Sequence, residues 1–202
     1  MSQPAGESAQ DGSPRPPFPV DPEVIAVLDK LWQAGHGAYL VGGGVRDALL
    51  GLPVSDWDIA TDARPERILR LFPGSSYQNR FGTVLARGME ITTFRRDHRY
   101  ADHRRPDTVT FSSDIFEDLA RRDLNINAIA WGRRGPEAAP RLVDPADGRG
   151  DLEARLVRAV GDPNLRFDED ALRLLRAVRI AARLDFTIEP VTRAAIMAHA
   201  GD

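Results

Sequence analysis

The stretch Tyr39-Leu40-Val41-Gly42-Gly43-Gly44-Val45-Arg46-Asp47-Ala48-Leu49-Leu50-Gly51, with Ser55-Asp56-Trp57-Asp58-Ile59 close behind it, decides how the rest of the chain is read. Tyr39-Leu40-Val41 is a short apolar run of strand character, and three glycines break it. Val45 to Leu50 then has helical spacing, with Val45, Ala48 and Leu49 on one side and Gly51 as the stop. A glycine-rich turn feeding a helix start offers free N–H groups and the positive end of the helix dipole to a phosphate. In the next predicted strand Asp56 and Asp58 are two residues apart, so both carboxylates project from one face. Either feature alone is ordinary, since three glycines often make only a tight turn and Asp-x-Asp is often a solvated edge. Within one strand–helix–strand unit, in this order, they make a phosphate cradle followed by paired carboxylates. A metal-dependent phosphoryl or nucleotidyl transferase needs that combination. Mg²⁺ takes few carboxylates and keeps its other positions for water and substrate phosphate.

The 202 residues are enough for one or two domains with a real core, and 42% hydrophobic with 28% charged residues is ordinary globular composition. No apolar run approaches membrane-spanning length, and no basic start precedes an apolar signal core. Cysteine is absent, which excludes disulfides and thiolate metal sites. The expected setting is the cytoplasm, with no membrane partner. A net charge of −3 argues against a chain that coats nucleic acid indiscriminately. Lys30 is the only lysine among 27 basic residues. Arginine suits phosphates and base edges, but a GC-rich genome explains the overall bias equally well, so only particular arginines are informative.

Residues 1–20 carry almost nothing to bury and predict a disordered tail. Asp21-Pro22-Glu23 opens a helix whose stripe is Val24, Val27, Leu28 and Leu31, ending at Ala34-Gly35. After the organising stretch, a helix starts near Arg64-Pro65 and stops at Pro73-Gly74. Residues 83–86 and 89–94 read as a hairpin turning at Arg87-Gly88. Glu90, in its second strand, is the candidate third carboxylate, although periodicity alone makes it a solvent-facing strand residue. Residues 95–106 are rich in Arg, Asp and His without an apolar face and read as a mobile loop beside the site. His98 and His103 read as polar loop residues, because no third nitrogen or sulfur ligand lies nearby. Residues 114–130 read as a helix or helix pair. Turns follow after Trp131 and around residues 142–148, then a short helix from Asp151 and an apolar stretch at 156–160.

This divides the chain into a tail (1–20), one domain (21–163) and the beginning of a helical domain (164–202). In the helix predicted over 168–183, Ala171, Leu174, Leu175, Val178, Ala181 and Ala182 form one face, expected to meet the core. Glu169, Asp170, Arg173, Arg176, Arg179 and Arg183 form the other. Four arginines along one side without acids among them cost stability unless something anionic answers them.

Together these pieces resemble the bacterial class II tRNA nucleotidyltransferase (CCA-adding enzyme) and poly(A) polymerase family, over about residues 39–186. The resemblance rests on Val-Gly-Gly-Gly-Val-Arg46-Asp47 with Asp56-x-Asp58, on Glu90-x-Thr-Thr-Phe-Arg95, and on Asp97-x-x-Tyr100 with Arg104-Arg105-Pro106. It continues through Glu117-Asp118-Leu119-x-Arg121-Arg122-Asp123-x-x-x-Asn127-Ala128, Asp144-Pro145 with Gly148, and Glu169-Asp170-Ala171-x-Arg173-x-x-Arg176-x-x-Arg179. It implies an α+β fold: a polymerase-β-like nucleotidyltransferase head, with a mixed sheet flanked by helices, followed by the start of an all-α neck. It implies Mg²⁺ on Asp56 and Asp58, Glu90 as the third catalytic carboxylate, and Gly43 and Arg46 as triphosphate contacts. Arg121, Arg122, Asp123 and Asn127 match the motif that holds the nucleotide sugar and phosphates. Asp170 and Arg173 match the pair that reads the incoming base, with Arg176 and Arg179 beside them. Asp97 and Tyr100 belong to a flexible loop like that of enzymes able to add the terminal A.

The base-reading pair has its own physical sense. Cytosine and adenine each show an amino donor next to a ring-nitrogen acceptor, which Asp and Arg complement. Uracil and guanine leave both protein groups unpaired, which is costly in a dry site. The implied substrates are CTP, ATP and the 3′ end of tRNA. A poly(A) polymerase is the near alternative, and a non-catalytic nucleotide-binding module is the alternative of another class. Family members continue through further helical domains, so the chain reads as a fragment or a split form.

Overall fold

Helix α1 (Pro22–Gln33) starts where the Asp21 carboxylate accepts a hydrogen bond from the Glu23 N–H at 2.9 Å, with proline in the first turn. The computed structural model describes residues 16–79, 81–98 and 108–201. After α1 come β1 (Ala38–Val41), α2 (Gly43–Leu49), β2 (Asp58–Thr61), α3 (Pro65–Leu71), β3 (Ser76–Asn79), β4 (Thr83–Ala86) and β5 (Met89–Thr93). Then follow β6 (Arg95–His98), β7 (Thr108–Phe111), α4 (Ile115–Ala120), a 3₁₀ turn (Asn125–Asn127), β8 (Ala130–Arg133), β9 (Arg141–Val143) and α5 (Gly148–Glu153). The chain continues with β10 (Leu156–Val157), α6 (Pro163–Glu169), α7 (Leu172–Leu184), β11 (Thr187–Ile188) and α8 (Pro190–His199).

Seven strands form one sheet in the order β3-β4-β5-β2-β1-β8-β9. The β2–β5 pair is parallel and the other pairs are antiparallel. Alternation along the strands sends Leu40, Ile59 and Ile91 into a core with Val27, Leu28 and Leu31 of α1, Val45 of α2 and Ile68 of α3. Tyr39 and Ala60 face the other way, into a second cluster with Phe94 and Leu119 of α4. Helices thus cover the sheet on both sides, and the chain has the mixed α+β architecture that the resemblance implies.

Several local expectations are corrected. Residues 95–98 are a strand, paired with β7, rather than loop. This strand does without an apolar face because polar contacts hold it: Arg95 donates to the Phe81 carbonyl at 2.8 Å and to Asp97 at 2.8 Å. Tyr100, His103, Arg104, Arg105 and Pro106 lie outside the described residues. The predicted helix over 114–130 is only α4 and the 3₁₀ turn. The turns expected after Trp131 and around residues 142–148 are present at 134–138 and 145–146. The sequence does not predict the strands β8 and β9 beside them, with Trp131 buried opposite Leu40. Gly132 misleads as punctuation, since a Cβ there would lie 2.2 Å from the Ala38 carbonyl oxygen, so a tight strand contact requires it. The tail also ends earlier than expected: Phe18 is buried, stacked on Trp57 at 6.0 Å and edge-on to Trp131 at 6.4 Å.

The helical segment differs most. Asp170 leaves helical geometry (φ −152°, ψ 105°) and its carboxylate accepts from the Leu172 N–H, so one predicted helix becomes α6 and α7. The α7 face expected to meet the core is largely open, with Leu175 62% and Val178 44% exposed, while Arg173, Ala177, Ile180 and Ala181 are buried. Of the arginine side only Arg173 turns inward, while Arg176, Arg179 and Arg183 stay exposed along the helix edge. Anions answer three of the four: Glu169 pairs Arg173, Asp123 pairs Arg176 and Asp47 pairs Arg183. The parallel β10–β11 pair and the bond from the Ala159 N–H to Thr192 Oγ1 tie this helical segment to the sheet domain.

Candidate active site

Strand β1 delivers the chain to Gly42, whose φ of +77° turns it into α2. A Cβ at Gly42 would lie 3.0 Å from the Arg122 guanidinium and 3.5 Å from the Asp58 carboxylate. One at Gly44 would lie 2.9 Å from the Asp56 carbonyl oxygen and 3.0 Å from the Trp57 ring. The glycines therefore let the Asp56–Asp58 segment lie directly against the start of α2.

Asp58 is the first residue of β2, opposite Val41 on one side and Glu90 on the other. Asp56 is not in that strand, which corrects the expectation of one shared strand face. Gly42 turns β1 away after Val41, so no partner remains to extend the ladder to residue 56. Both carboxylates nevertheless line one cleft of about 260 Å³, with Gly42, Gly43, Gly44, Arg46, Arg122, Asp123, Asn127, Arg176 and Arg179 among its other walls. Glu90 stands beside Asp58 in register but is exposed and outside the cleft lining.

The charge pattern inside the cleft is uneven. Asp123 is buried and accepts from the Leu124 N–H at 2.9 Å, Asn127 Nδ2 at 3.0 Å and Arg176 Nε at 2.7 Å. Burial pushes its carboxyl upward, but Arg176, Asn127 and the Leu124 N–H outweigh that and hold it below the ordinary range. Asp47 accepts from Arg46 Nε at 2.8 Å and pairs with Arg183. Asp58 makes no hydrogen bond or ion pair among the described residues, and Asp56 only accepts from the Ser55 hydroxyl at 2.9 Å. Asp58 keeps solvent-exposed surface, yet the cleft walls crowd its carboxyl and push it upward; Glu90 and Asp56 add to this, and Arg122 opposes it. Two unpaired acids thus sit among arginines, the setting in which a divalent cation is stabilising. The donor set fits Mg²⁺ at Asp56 and Asp58. Among the described residues no group of three carboxylates or imidazoles is gathered closely enough to hold an ion.

The remaining expected residues divide into two groups. Arg122 leans over the Gly42 turn, donating to Asp118 at 3.3 Å, while its buried Nε has no partner among the described residues. Arg179 lines the cleft and makes no bond among the described residues. Arg46 is 4% exposed and fully engaged, with Nε on Asp47 and one terminal nitrogen on Asn127 Oδ1 at 2.6 Å. Outside the cleft lining, Arg121 turns to Asp118 at 2.6 Å and Asp97 at 3.3 Å. The Asp170 carboxylate is occupied by the Leu172 N–H at the start of α7, and Arg173 is buried on Glu169 at 2.5 Å.

Two acids to which the sequence reading gives no role, Asp118 and Asp47, shape the site together with Arg183, one of the four arginines that reading does single out. Asp118 grips Arg121 and Arg122, and Asp47 and Arg183 frame the cleft. Asp118 had a visible signal, an acid three and four residues before two arginines on a helix. At Asp118, burial pushes the carboxyl upward, but Arg121 and Arg122 outweigh it and the net direction is down.

Comparison with known proteins gives a consistent result. Residues 38–158 match the family model described as the poly(A) polymerase head domain. A protein of Lacticaseibacillus paracasei named CCA-adding enzyme is 49% identical over 177 residues, covering 85% of this chain and 43% of that protein. Among solved structures, the Bacillus stearothermophilus CCA-adding enzyme in complex with CTP superposes with a TM-score of 0.77 at 39% identity, over 90% of this chain and 45% of that one. The Thermotoga maritima CCA-adding enzyme complexed with tRNA gives a TM-score of 0.70 at 30% identity, over 90% and 43%. The chain therefore spans less than half the length of these relatives.

Proposed function

The chain belongs to the poly(A) polymerase head-domain family, and from that premise we propose that it is the catalytic head of a nucleotidyltransferase. In this reading the whole enzyme adds C and A from CTP and ATP to the 3′ end of tRNA without a nucleic-acid template. The observation that carries the reading is the pair of unpaired carboxylates, Asp56 and Asp58, inside a cleft whose other exposed charges are arginines. The relatives' names favour CCA addition over poly(A) synthesis, and two of the matched structures hold CTP or tRNA. Residues 21–163 form the head and residues from 164 begin the neck. The enzyme works in the cytoplasm, where its tRNA substrate is.

Asp56 and Asp58 would hold Mg²⁺, with Glu90 beside Asp58; the bound ion supplies charge stabilisation to the reacting phosphate and acidifies the attacking hydroxyl. Arg122, Arg176 and Arg179 set positive charge around the triphosphate, where preorganised donors act without reorganisation. Asp123 and Asn127, locked to Arg176 and Arg46, give a rigid wall for the sugar. Asp170 accepts from the base amino group and Arg173 donates to the ring nitrogen. Both then exchange or share their present partners, the Leu172 N–H and Glu169.

The test is incorporation onto a tRNA lacking its 3′ end by a form extended to the relatives' length. CTP and ATP should be used in turn. Addition of A alone to any RNA end supports the poly(A) reading, and binding without Mg²⁺-dependent turnover supports a non-catalytic module.

A further inference from the structure

Six cleft residues make one closed circuit. From α7, Arg176 Nε donates to Asp123 Oδ2 at 2.7 Å, and Asn127 Nδ2 donates to Asp123 Oδ1 at 3.0 Å. Arg46 donates to Asn127 Oδ1 at 2.6 Å and, through Nε, to Asp47 Oδ1 at 2.8 Å. Arg183, back on α7, donates to Asp47 Oδ2. Arg176 and Arg183 are seven residues apart, two helical turns, so they leave the same side of α7 and the helix itself closes the ring. All six residues line the cleft. The four inner members, Arg46, Asp47, Asp123 and Asn127, are each under a tenth exposed.

We infer that Asp47 and Arg183 are positioning residues that clamp the neck helix α7 onto the phosphate-loop helix α2, fixing Arg176 and Arg179 against the bound nucleotide. This rests on the nucleotidyltransferase reading of the cleft and deepens it. Asp47 does not need Arg183 for its own burial, because Arg46 already engages it with two guanidinium nitrogens at 2.8 Å. The Arg183 side chain is 49% exposed, and a half-exposed pair contributes little to stability. Its effect is geometric: it joins two elements that are 136 residues apart in the chain and carry opposite walls of the cleft. Ala177, Ile180 and Ala181 seat α7 in the core, and Arg176 and Arg183, two turns apart on its exposed edge, fix how that edge is presented to the cleft. Arg173 rides on the same helix, but in the proposed reading cytosine and adenine meet it in the same way, so the clamp should act on CTP and ATP alike.

The experiment uses Arg183→Met and Arg183→Lys in the 202-residue chain, read by hydrogen exchange and by binding of labelled CTP and ATP with Mg²⁺. Arg183 meets Asp47 through one terminal nitrogen, which a lysine ammonium can replace. Arg183→Met should speed amide exchange across α7 while leaving α1 and the sheet protected. It should weaken CTP and ATP binding by the same factor, about tenfold, as expected for a displaced contact group. Arg183→Lys should restore both. Unchanged α7 exchange, exchange accelerated throughout the domain, or unchanged nucleotide binding in Arg183→Met overturns the clamp while leaving the parent reading standing. A wild-type chain that binds neither nucleotide overturns the parent reading and the clamp with it.

Discussion

Asp58 is the residue on which most of the chemistry converges. Its carboxyl is pushed up by burial, Glu90 and Asp56 against the pull of Arg122. It therefore holds its proton to a higher pH than an ordinary carboxyl, and a cation beside it would favour the ionised form. An acid raised in the folded state weakens stability as pH rises through its folded value, and cation binding reverses this by drawing the proton off. Asp58→Asn should therefore abolish Mg²⁺-dependent transfer while leaving the thermal midpoint at neutral pH unchanged or slightly higher. A folded Asp58→Asn protein with near-normal transfer rules the assignment out. In the wild type, Mg²⁺ affinity should fall as pH drops at a higher pH than an ordinary carboxylate's value of about 3.9 dictates; titration of Mg²⁺ across pH 4 to 7 checks it. Gly44→Ala belongs beside these, because its Cβ would sit 2.9 Å from the Asp56 carbonyl oxygen and must displace the acidic segment. Transfer should drop by roughly a hundredfold for a shift of about 1 Å, with soluble, folded protein by circular dichroism. That Asp56 and Asp58 come to lie against the glycine turn was legible in the sequence from their order and spacing, although the strand face expected to carry both holds only Asp58. Arg183 was legible as a cation wanting an anion, but Asp47 as its partner was not, since their meeting depends on how two distant helices dock.

Helices and strands show the same division. Helix α1 and the β4–β5 hairpin follow from caps, periodicity and the Arg87-Gly88 turn, where both φ values are positive (51° and 78°). Strands β6, β8 and β9 do not follow, because tertiary pairing overrides weak or misleading local signals. Helix α7 is the clearest case: its periodicity is legible, but the side that faces inward is the Arg173, Ala177, Ile180 and Ala181 stripe, set by packing against the rest of the fold. Asp123 and Asp118 are held below the ordinary carboxylate range. Depressed acids contribute stability that is present above their unfolded value, about 3.9, and lost as pH falls through the folded value. Urea midpoints should accordingly fall steeply below about pH 4, and Asp123→Asn should flatten that fall. At the other end, Phe18→Ala should cost about 3 kcal/mol by urea unfolding. A loss below about 0.5 kcal/mol would mean that the segment before α1 does not pack on Trp57 and Trp131.

The whole molecule combines a charged cleft with exposed apolar surfaces on its last two helices. Leu172, Leu175 and Val178 on α7 and Val191 and Met197 on α8 are exposed, and the chain spans less than half the length of its relatives. RNA binding rests on many salt-sensitive phosphate contacts, and this chain is net acidic at −3 with its arginine row spent on the cleft. The 202-residue chain should bind Mg·CTP or Mg·ATP detectably but bind tRNA weakly; submicromolar tRNA affinity near physiological salt contradicts this. Selection of C and A is the property that most needs the assembled site, because it requires the metal pair, the cleft arginines and the Asp170–Arg173 pair together. The decisive measurement offers each of the four ribonucleoside triphosphates separately to a form extended to the relatives' length, primed with tRNA lacking its terminal CCA. The wild type should incorporate C, then A after C, and discriminate against U and G. Asp170→Ala with Arg173→Ala should lose that discrimination more than rate. Equal use of all four nucleotides by the wild type, or wild-type selectivity in the double variant, contradicts it.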